Sequence, residues 1–496
     1  MSCEVIVLGY GYAGAMAAIS AADAGARVLL VEKSATPGGI SICSAGGVRI
    51  ADDSDAAFMY LEATCGGKTP DDVLRVLANG MTGLPDRLTR LAKGQGAVVE
   101  RRRSPGNYPF PGNQTFGFAY VEKLEGFDPA RDYPQVRGNP QGALLFGLLE
   151  RNVGCRSGIE VRLGCAACRL LTENGAVTGV ALADGSQVHG PVVLATGGFE
   201  ADPDMQNQYW PGGAALSASY AGNTGDGIRM AQSVGADLWH MWHSHGCYGF
   251  KIPGYRFGAR VKRLPDWQPG ADGLPDKDVP NAAWIVLDQS GQRFMNEYEP
   301  YLQDTGMRPL GKMDLARQQS PRNPAWFVTD ARGLALYPMA KPTWNDPNAR
   351  YEWSADNSAE IASGLFRKAD TVEVLVGIIG AETLQVAETL RSWRSICRSG
   401  QDPLGRPSSS LFPLEPPFFV APVVPVVSNT QGGPRHDAAQ RVLDPFGASI
   451  PGLWAVGECG SAFGHIYMSG GNIAECFVGG EIAGTAAAQF ARQEAA

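Results

Sequence analysis

Glu4-Val5-Ile6-Val7-Leu8, then Gly9-Tyr10-Gly11-Tyr12-Ala13-Gly14, then the Ala-rich stretch from Ala15 to Ala24, is the run of sequence that decides the fold. The apolar run of β-formers reads as a short buried strand, the glycines as a turn, and the Ala-rich stretch as a helix that stops at Gly25. Arg27-Val28-Leu29-Leu30-Val31-Glu32 is the next strand, which completes a βαβ unit. Each glycine of the G-x-G-x-x-G pattern has a task there. Gly9 permits the tight turn, Gly11 lets the backbone approach a pyrophosphate, and Gly14 lets helix and strand pack closely. The helix N-terminus adds amide donors and partial positive charge. Glu32 closes the second strand where an acid would bind the diol of an adenosine ribose lacking a 2′-phosphate. The unit is therefore read as a dinucleotide site, for FAD or NAD.

Working outward, Val192-Val193-Leu194-Ala195 is a second buried strand ending on Gly197-Gly198. Gly452-Leu453-Trp454-Ala455-Val456-Gly457-Glu458 is a third, with a glycine and an acid at its end. The apolar, Ala- and Gly-rich piece from Asn472 to Ala488 reads as a helix. Between about residues 240 and 419 the texture changes to Pro, Trp, Tyr and Arg, including Pro265-Asp266-Trp267 and Pro342-Thr343-Trp344-Asn345. The expected fold class is α/β: a Rossmann-like FAD-binding domain, discontinuous over 1–238 and 420–496, with an inserted α+β substrate or capping domain over 239–419.

The 496 residues carry 42 Lys and Arg against 50 Asp and Glu, a net charge of −8. Without a basic stripe this argues against nucleic acid as a partner, and Arg101-Arg102-Arg103 reads as a solvated face. No run reaches the length of apolar sequence a transmembrane segment needs, and Met1-Ser2-Cys3-Glu4 lacks the basic start of a signal peptide. The expected location is cytoplasmic. Ten cysteines are then expected as free thiols. Cys165-Ala166-Ala167-Cys168 finds no further ligands to complete a zinc site, so no metal is expected.

Pro37-Gly38-Gly39-Ile40-Ser41, Ala195-Thr196-Gly197-Gly198-Phe199, Asn223-Thr224-Gly225-Asp226-Gly227 and the Gly452 to Glu458 segment together resemble the FAD-binding signatures of the fumarate reductase and 3-ketosteroid dehydrogenase flavoprotein superfamily. They follow the family's order from residue 4 to about 488. The resemblance implies FAD. Gly38, Gly39 and Ser41 would follow its diphosphate and ring edge, and Glu458 would hold ribityl hydroxyls. Backbone at Asn472 and Ile473 would face the pyrimidine, where a helix N-terminus stabilises the reduced flavin. Ala13, Lys33, Ser44, Gly46, Gly47, Ala167, Thr196, Gly197, Gly198, Asn223, Asp226 and Gly457 complete the expected cofactor contacts. No histidine marks a covalent flavin attachment, and no second G-x-G-x-x-G occurs in the insert. The FAD is expected to be non-covalent, with a separate electron acceptor or donor.

Fumarate reductases of this superfamily clamp a dicarboxylate with a His and an Arg. The corresponding segments here read Asn429-Thr430-Gln431-Gly432-Gly433 and Tyr467-Met468-Ser469-Gly470-Gly471-Asn472. Both cations are missing, and a lost bidentate pair is not replaced by Met, so fumarate and succinate are disfavoured. Arg293-Phe294-Met295-Asn296-Glu297-Tyr298-Glu299-Pro300-Tyr301 instead resembles the segment of 3-ketosteroid dehydrogenases that ends in a catalytic Tyr. Tyr467, ahead of a glycine turn, stands where those enzymes carry a second one.

Introducing a C=C bond next to a ketone needs a donor that polarises the carbonyl, a base for the α-proton and a hydride acceptor. The expected catalytic set is Tyr301, Tyr467, Ser469, Gly471 through its backbone N–H, and His245. Either tyrosine can be the base. His245 belongs to the group His240, His243 and His245, and relatives carry a His near this position at the substrate. Trp239, Trp242, Tyr248, Phe250 and Tyr255 are expected to wall a flat pocket for a hydrophobic, steroid-like ketone. Two other readings are a flavin-dependent ene-reductase of an unsaturated ketone or acid, for which Arg332 would be the proton donor, and a non-catalytic FAD-binding protein.

Overall fold

The strand Val5–Leu8 is buried along its whole length and pairs in parallel with Val28–Val31 on one side and Val192–Leu194 on the other. A computed structural model describes residues 4–262, 282–298 and 301–494. Pro265-Asp266-Trp267, Glu299, Pro300 and the N-terminal Met1-Ser2-Cys3 lie outside the described residues. The central sheet has six strands in the order Arg441–Leu443, Ser449–Ala455, Val192–Leu194, Val5–Leu8, Val28–Val31, Ile159–Arg162. All pairings are parallel except that of the Arg441–Leu443 edge. A parallel sheet is covered on both faces, which is why its strands read as unbroken apolar runs.

Alternation sends Val5, Val7, Val28 and Leu30 to one face and Ile6, Leu8, Leu29 and Val31 to the other. The first face is covered by the helix Tyr12–Asp23 and the C-terminal helix Gly471–Glu494. The second carries Leu170, Val177, Val180 and Leu182 of an antiparallel meander, Ala167–Glu173, Ala176–Leu182 and Gln187–His189. Close packing at the turn is set by Gly14, where a Cβ would lie 1.8 Å from the Gly9 carbonyl oxygen.

An eight-stranded sheet is built around the long strand Phe418–Thr430. Ser244–Lys251 and Ala325–Asp330 flank it, and Gly258–Val261 and Ala340–Lys341 extend it to one edge. The expected division at 420 falls inside Phe418–Thr430, and the one at 238 falls inside the strand Leu238–Trp239. One strand therefore starts among insert residues and ends, at Thr430, against the carboxyl of Glu458. Under the same sheet, Glu297 accepts hydrogen bonds from Arg293 and Arg406, all three side chains being buried. Arg293 and Glu297 thus anchor the chain, and Tyr301 reaches the site. No helix among the described residues is long and apolar enough to cross a membrane.

Candidate active site

A channel runs along the C-terminal ends of the parallel strands, lined by the backbone from Gly9 to Ala13, by Gly38 to Ser41, and by Glu32. Sequence folds it this way because the helix Tyr12–Asp23 starts immediately after the glycine turn, leaving its first amides pointing into the channel. Tyr12 N–H is held by Ser41 Oγ at 3.0 Å, joining the two glycine segments. Glu32 is aimed by two backbone amides, Tyr10 N–H at 3.0 Å and Ser34 N–H at 2.8 Å. Lys33 ion-pairs Asp226 at 2.5 Å, and Ala167, Thr196, Gly197 and Asn223 line the same channel. An acceptor for a diol, amides at a helix N-terminus for a diphosphate and a through-passage shaped by glycines are what FAD requires. The residues present fit it.

Tyr12, Ile40, Ser41, Glu458 and Cys476 also line a second cavity of about 510 Å³, so channel and cavity adjoin. Tyr301, Tyr467 and His245 meet on its wall. The His245 ring stands edge-on to Tyr467 at 4.3 Å between centroids and to Tyr301 at 5.6 Å, and the tyrosine rings are nearly parallel at 6.5 Å. Three distant pieces supply them: a strand of the eight-stranded sheet, the loop after the Arg293 segment, and the turn before the C-terminal helix. Ser469, Asn472 and Ile473 line the cavity, as do Ser44 and Gly47, and the Ser469 hydroxyl hydrogen-bonds Tyr301.

Burial sets the protonation of this cluster. It pushes Tyr301 and Tyr467 well above the ordinary phenol value. For Tyr467 the amides of Asn472 and Gly470 and the Arg49 guanidinium act the other way. Burial takes His245 down to about 3, so its imidazole is neutral. Asp304 lies beneath. Burial alone would raise its carboxyl, but the His243 ring at 3.7 Å and neighbouring cations bring it below its usual value. Its Oδ2 accepts from Tyr108 Oη at 2.7 Å and from Tyr467 N–H at 3.0 Å, so it ties Tyr467 to the loop that carries Tyr301.

Where channel and cavity meet, Glu458 takes Thr430 N–H at 2.8 Å while Asn223 Nδ2 bridges it to Glu200 at 3.4 and 2.8 Å. Burial pushes both carboxyls up, Glu458 to about 7, and for Glu200 the neighbouring Glu458 charge adds to it. Asn472 gathers Asn429, Gln431, Ser461 and Glu475 into one hydrogen-bonded group at the start of the C-terminal helix. Of the two positions at which a cation was sought, Asn429 belongs to this network and Met468 is buried.

Several expected residues are elsewhere. The Gly471 N–H donates to Met468 O at 2.8 Å, closing the turn that starts the helix, and Gly471 does not line the cavity. Gly14, Gly46, Gly198 and Gly457 act by close packing; a Cβ on Gly198 would meet Thr430 Oγ1 at 1.9 Å and Glu458 Oε1 at 2.5 Å. Arg332 lies away from the cavity, half exposed and paired with Asp330 at 2.6 Å. His240 and His243 are held by the carbonyls of Ser461 and Phe463, each at 2.7 Å.

The five aromatic residues expected as its wall do not line the cavity, whose Phe and Tyr rings are those of Tyr12, Phe118, Tyr120, Tyr301 and Tyr467. Tyr248 and Phe250 pack with Trp284 and Phe327 in the core, Trp239 stacks on His240, Trp242 is half exposed, and Tyr255 packs on Tyr351. Arg102, Arg260, Lys262 and Lys341 are among the residues that line the cavity.

Sequence reading missed Arg49, Tyr108, Asp304 and Arg260. Arg49 is fully buried, with its guanidinium 3.8 Å from the Phe118 ring centroid and Nε donating to Ser469 O at 2.7 Å. A lone Arg inside the otherwise apolar strand Val48–Ala51 was the available signal.

Residues 4–473 match the FAD binding domain family model. The chain belongs to that family. It is a FAD-dependent oxidoreductase of the superfamily that holds 3-ketosteroid dehydrogenases and fumarate reductases. It is 27% identical to 3-oxosteroid 1-dehydrogenase of Mycobacterium tuberculosis over 578 aligned positions, covering 97% of each chain. It is likewise 27% identical to 4-oxocyclohexanecarboxylate 2-dehydrogenase of Sinomonas cyclohexanicum, over 92% of this chain and 87% of that one. The solved 3-ketosteroid Δ1-dehydrogenase of Sterolibacterium denitrificans shares the fold with a TM-score of 0.79 at 23% identity, over 98% and 99% of the two chains.

Proposed function

We propose that this flavoprotein dehydrogenates an alicyclic ketone, introducing a C=C bond next to the carbonyl. The observation that carries the reading is the convergence of Tyr301, Tyr467 and His245 on one cavity adjoining the FAD channel. Tyr467 Oη is assigned to the ketone oxygen: the amides of Gly470 and Asn472 and the Arg49 charge favour negative charge there, where an enolate oxygen develops. Tyr301 Oη is assigned to the α-proton, which it takes as phenolate after giving up its own proton, with the Ser469 hydroxyl positioning it and favouring that form. Neutral His245 packs both rings in place. FAD, held by the channel residues, supplies the acceptor for the hydride of the β-carbon. Glu458, Asn223 and Thr430 would hold the cofactor's sugar-alcohol chain, and the amide group around Asn472 fixes the helix start that would serve its ring.

The named relatives act on a steroid ketone and a cyclohexanone acid, which supports a ring ketone as substrate. Because the insert has no second dinucleotide motif, electrons leave to a separate acceptor. The test is product analysis: with an artificial electron acceptor, a ring ketone should emerge two mass units lighter with a new conjugated absorbance. Consumption only of enones, with the acceptor replaced by a reductant, would make the enzyme an ene-reductase.

A further inference from the structure

Asp304 carries a carboxyl that holds the backbone segments of both tyrosines at once. Its own N–H donates to Tyr301 O at 2.9 Å at the start of the short helix Leu302–Thr305, so carboxyl and Tyr301 belong to one turn. Its Oδ2 accepts Tyr467 N–H at 3.0 Å and Tyr108 Oη at 2.7 Å. The loop of Tyr108 closes the ring of contacts. The Tyr108 ring stands edge-on to Tyr301 at 6.3 Å between centroids, and the preceding Asn107 accepts Ser469 N–H at 2.8 Å, two residues past Tyr467.

The other carboxyl oxygen meets His243. Phe463 O can only accept, so His243 Nδ1 carries a hydrogen in their 2.7 Å contact. His243 Nε2 is then left facing Asp304 Oδ1 across 3.7 Å. Among the described residues neither atom has a hydrogen-bond partner, and both side chains are buried. A hydrogen between them turns two facing lone pairs into an attractive contact. A buried pair of this kind adds little to stability over apolar side chains of the same volume, so its presence calls for another reason.

We infer that Asp304 is a positioning residue for the dehydrogenation: with His243 behind it, its carboxyl group sets the spacing of Tyr301 and Tyr467. The inference rests on those two tyrosines being the working pair. One phenol must meet the ketone oxygen while the other meets the neighbouring carbon of the same ring, so their relative placement is fixed by the substrate. A displacement of about 1 Å in such a constellation costs on the order of 10²-fold in rate. The tyrosines come from segments more than 160 residues apart, and Asp304 is bonded to both.

Asp304→Asn and Asp304→Ala in the FAD-loaded full chain test this. The Asn oxygen can accept the same two bonds while its NH₂ donates to His243 Nε2, so Asn should rescue the geometry. Per bound flavin, Asp304→Asn is expected to keep kcat within about tenfold of wild type, and Asp304→Ala to lose about 10²-fold with KM nearly unchanged. Hydrogen exchange at the Tyr467 amide, read by mass spectrometry, should be at least about tenfold faster in Asp304→Ala and close to wild type in Asp304→Asn, as loss of one charge-assisted bond would give. Wild-type kcat in Asp304→Ala, an Asn variant as impaired as the Ala one, or unchanged exchange would each overturn the inference. If Asp304→Ala fails to fold, Tyr108→Phe removes one bond to the carboxyl at nearly constant volume; it should lower kcat without raising KM, and an unchanged kcat would overturn the inference. Exchange needs no substrate, so failure of the ketone reading, seen as no turnover in the wild-type protein, is distinguished from failure of the positioning role.

Discussion

The FAD channel and the ketone cavity share a border at Tyr12, Ser41 and Glu458, yet they are built by opposite rules. The channel is made largely of backbone and glycine, in short segments drawn from Leu8 to Cys476. The cavity is walled by side chains, among them Arg102, His245, Tyr301 and Tyr467. A channel that must admit a diphosphate against bare backbone tolerates no added atoms, whereas the cavity is specified by which charges and hydroxyls face it. Substitutions on the channel side should therefore remove the cofactor, and those on the cavity side should remove turnover from a protein that stays yellow.

The largest effect is expected from Gly14→Val, because a Cβ there falls 1.8 Å from the Gly9 carbonyl oxygen, against backbone that cannot yield. The variant should be colourless or insoluble; recovery of a protein with full flavin content would break the contrast. Next, Tyr467→Phe and Tyr301→Phe should each keep flavin content and lose about 10²- to 10⁴-fold in turnover, the usual range for an acid–base group. Loss of FAD in either would erase the border drawn between the two regions.

Arg49→Met sharpens the comparison, since this residue supports the cavity from behind. It loses charge-assisted bonds from Nε to Ser469 O at 2.7 Å and from Nη1 to Ser104 O at 2.9 Å. A stability loss of about 1.5–3 kcal/mol per bond is expected by thermal unfolding. Removing the positive charge also raises the Tyr467 phenol, so any basic limb of the pH–rate profile should move to higher pH. An unmoved limb would contradict the coupling.

A pH effect on stability follows from His245, which burial holds at about 3. Its unfolded-state value is about 6.5, so between the two the unfolded chain binds more protons. Stability from this group is present above about pH 6.5 and is lost as pH falls toward the folded value. His245→Gln should flatten that part of the fall in melting temperature, and an unchanged slope would contradict it. The smallest effect is expected on the channel rim, where Lys33 and Asp226 are 31% and 41% exposed. Breaking that pair with Lys33→Ala should cost less than about 1 kcal/mol in stability.

The same contrast explains what was legible in the sequence. The βαβ unit, Glu32, the glycine turns and the C-terminal helix were readable because strand burial, glycine spacing and helix composition are local properties. Tyr301 and Tyr467 were found through segment resemblance. Arg260, Lys262 and Lys341 were not, since nothing in their own neighbourhoods says that two strands eighty residues apart pair in a register that puts them face to face. Asp304 was passed over for a similar reason: its meaning comes from Tyr108, His243 and the Tyr467 amide, which only the fold assembles. The aromatic insert misled because aromatic residues suit a core as well as a pocket, and the strand Ser244–Lys251 turns Tyr248 and Phe250 inward to Trp284 and Phe327.

The central claim is that Tyr301 and Tyr467 make this cavity a ketone dehydrogenase site. Anaerobic mixing of the oxidised holoprotein with a panel of saturated ring ketones, with and without a carboxylate, while following the visible flavin absorbance, addresses it directly. The account expects rapid bleaching by at least one saturated ketone in the wild-type protein and none on that timescale in Tyr467→Phe. No bleaching by any of them, with reoxidation of the pre-reduced protein by an unsaturated ketone or acid, would contradict it.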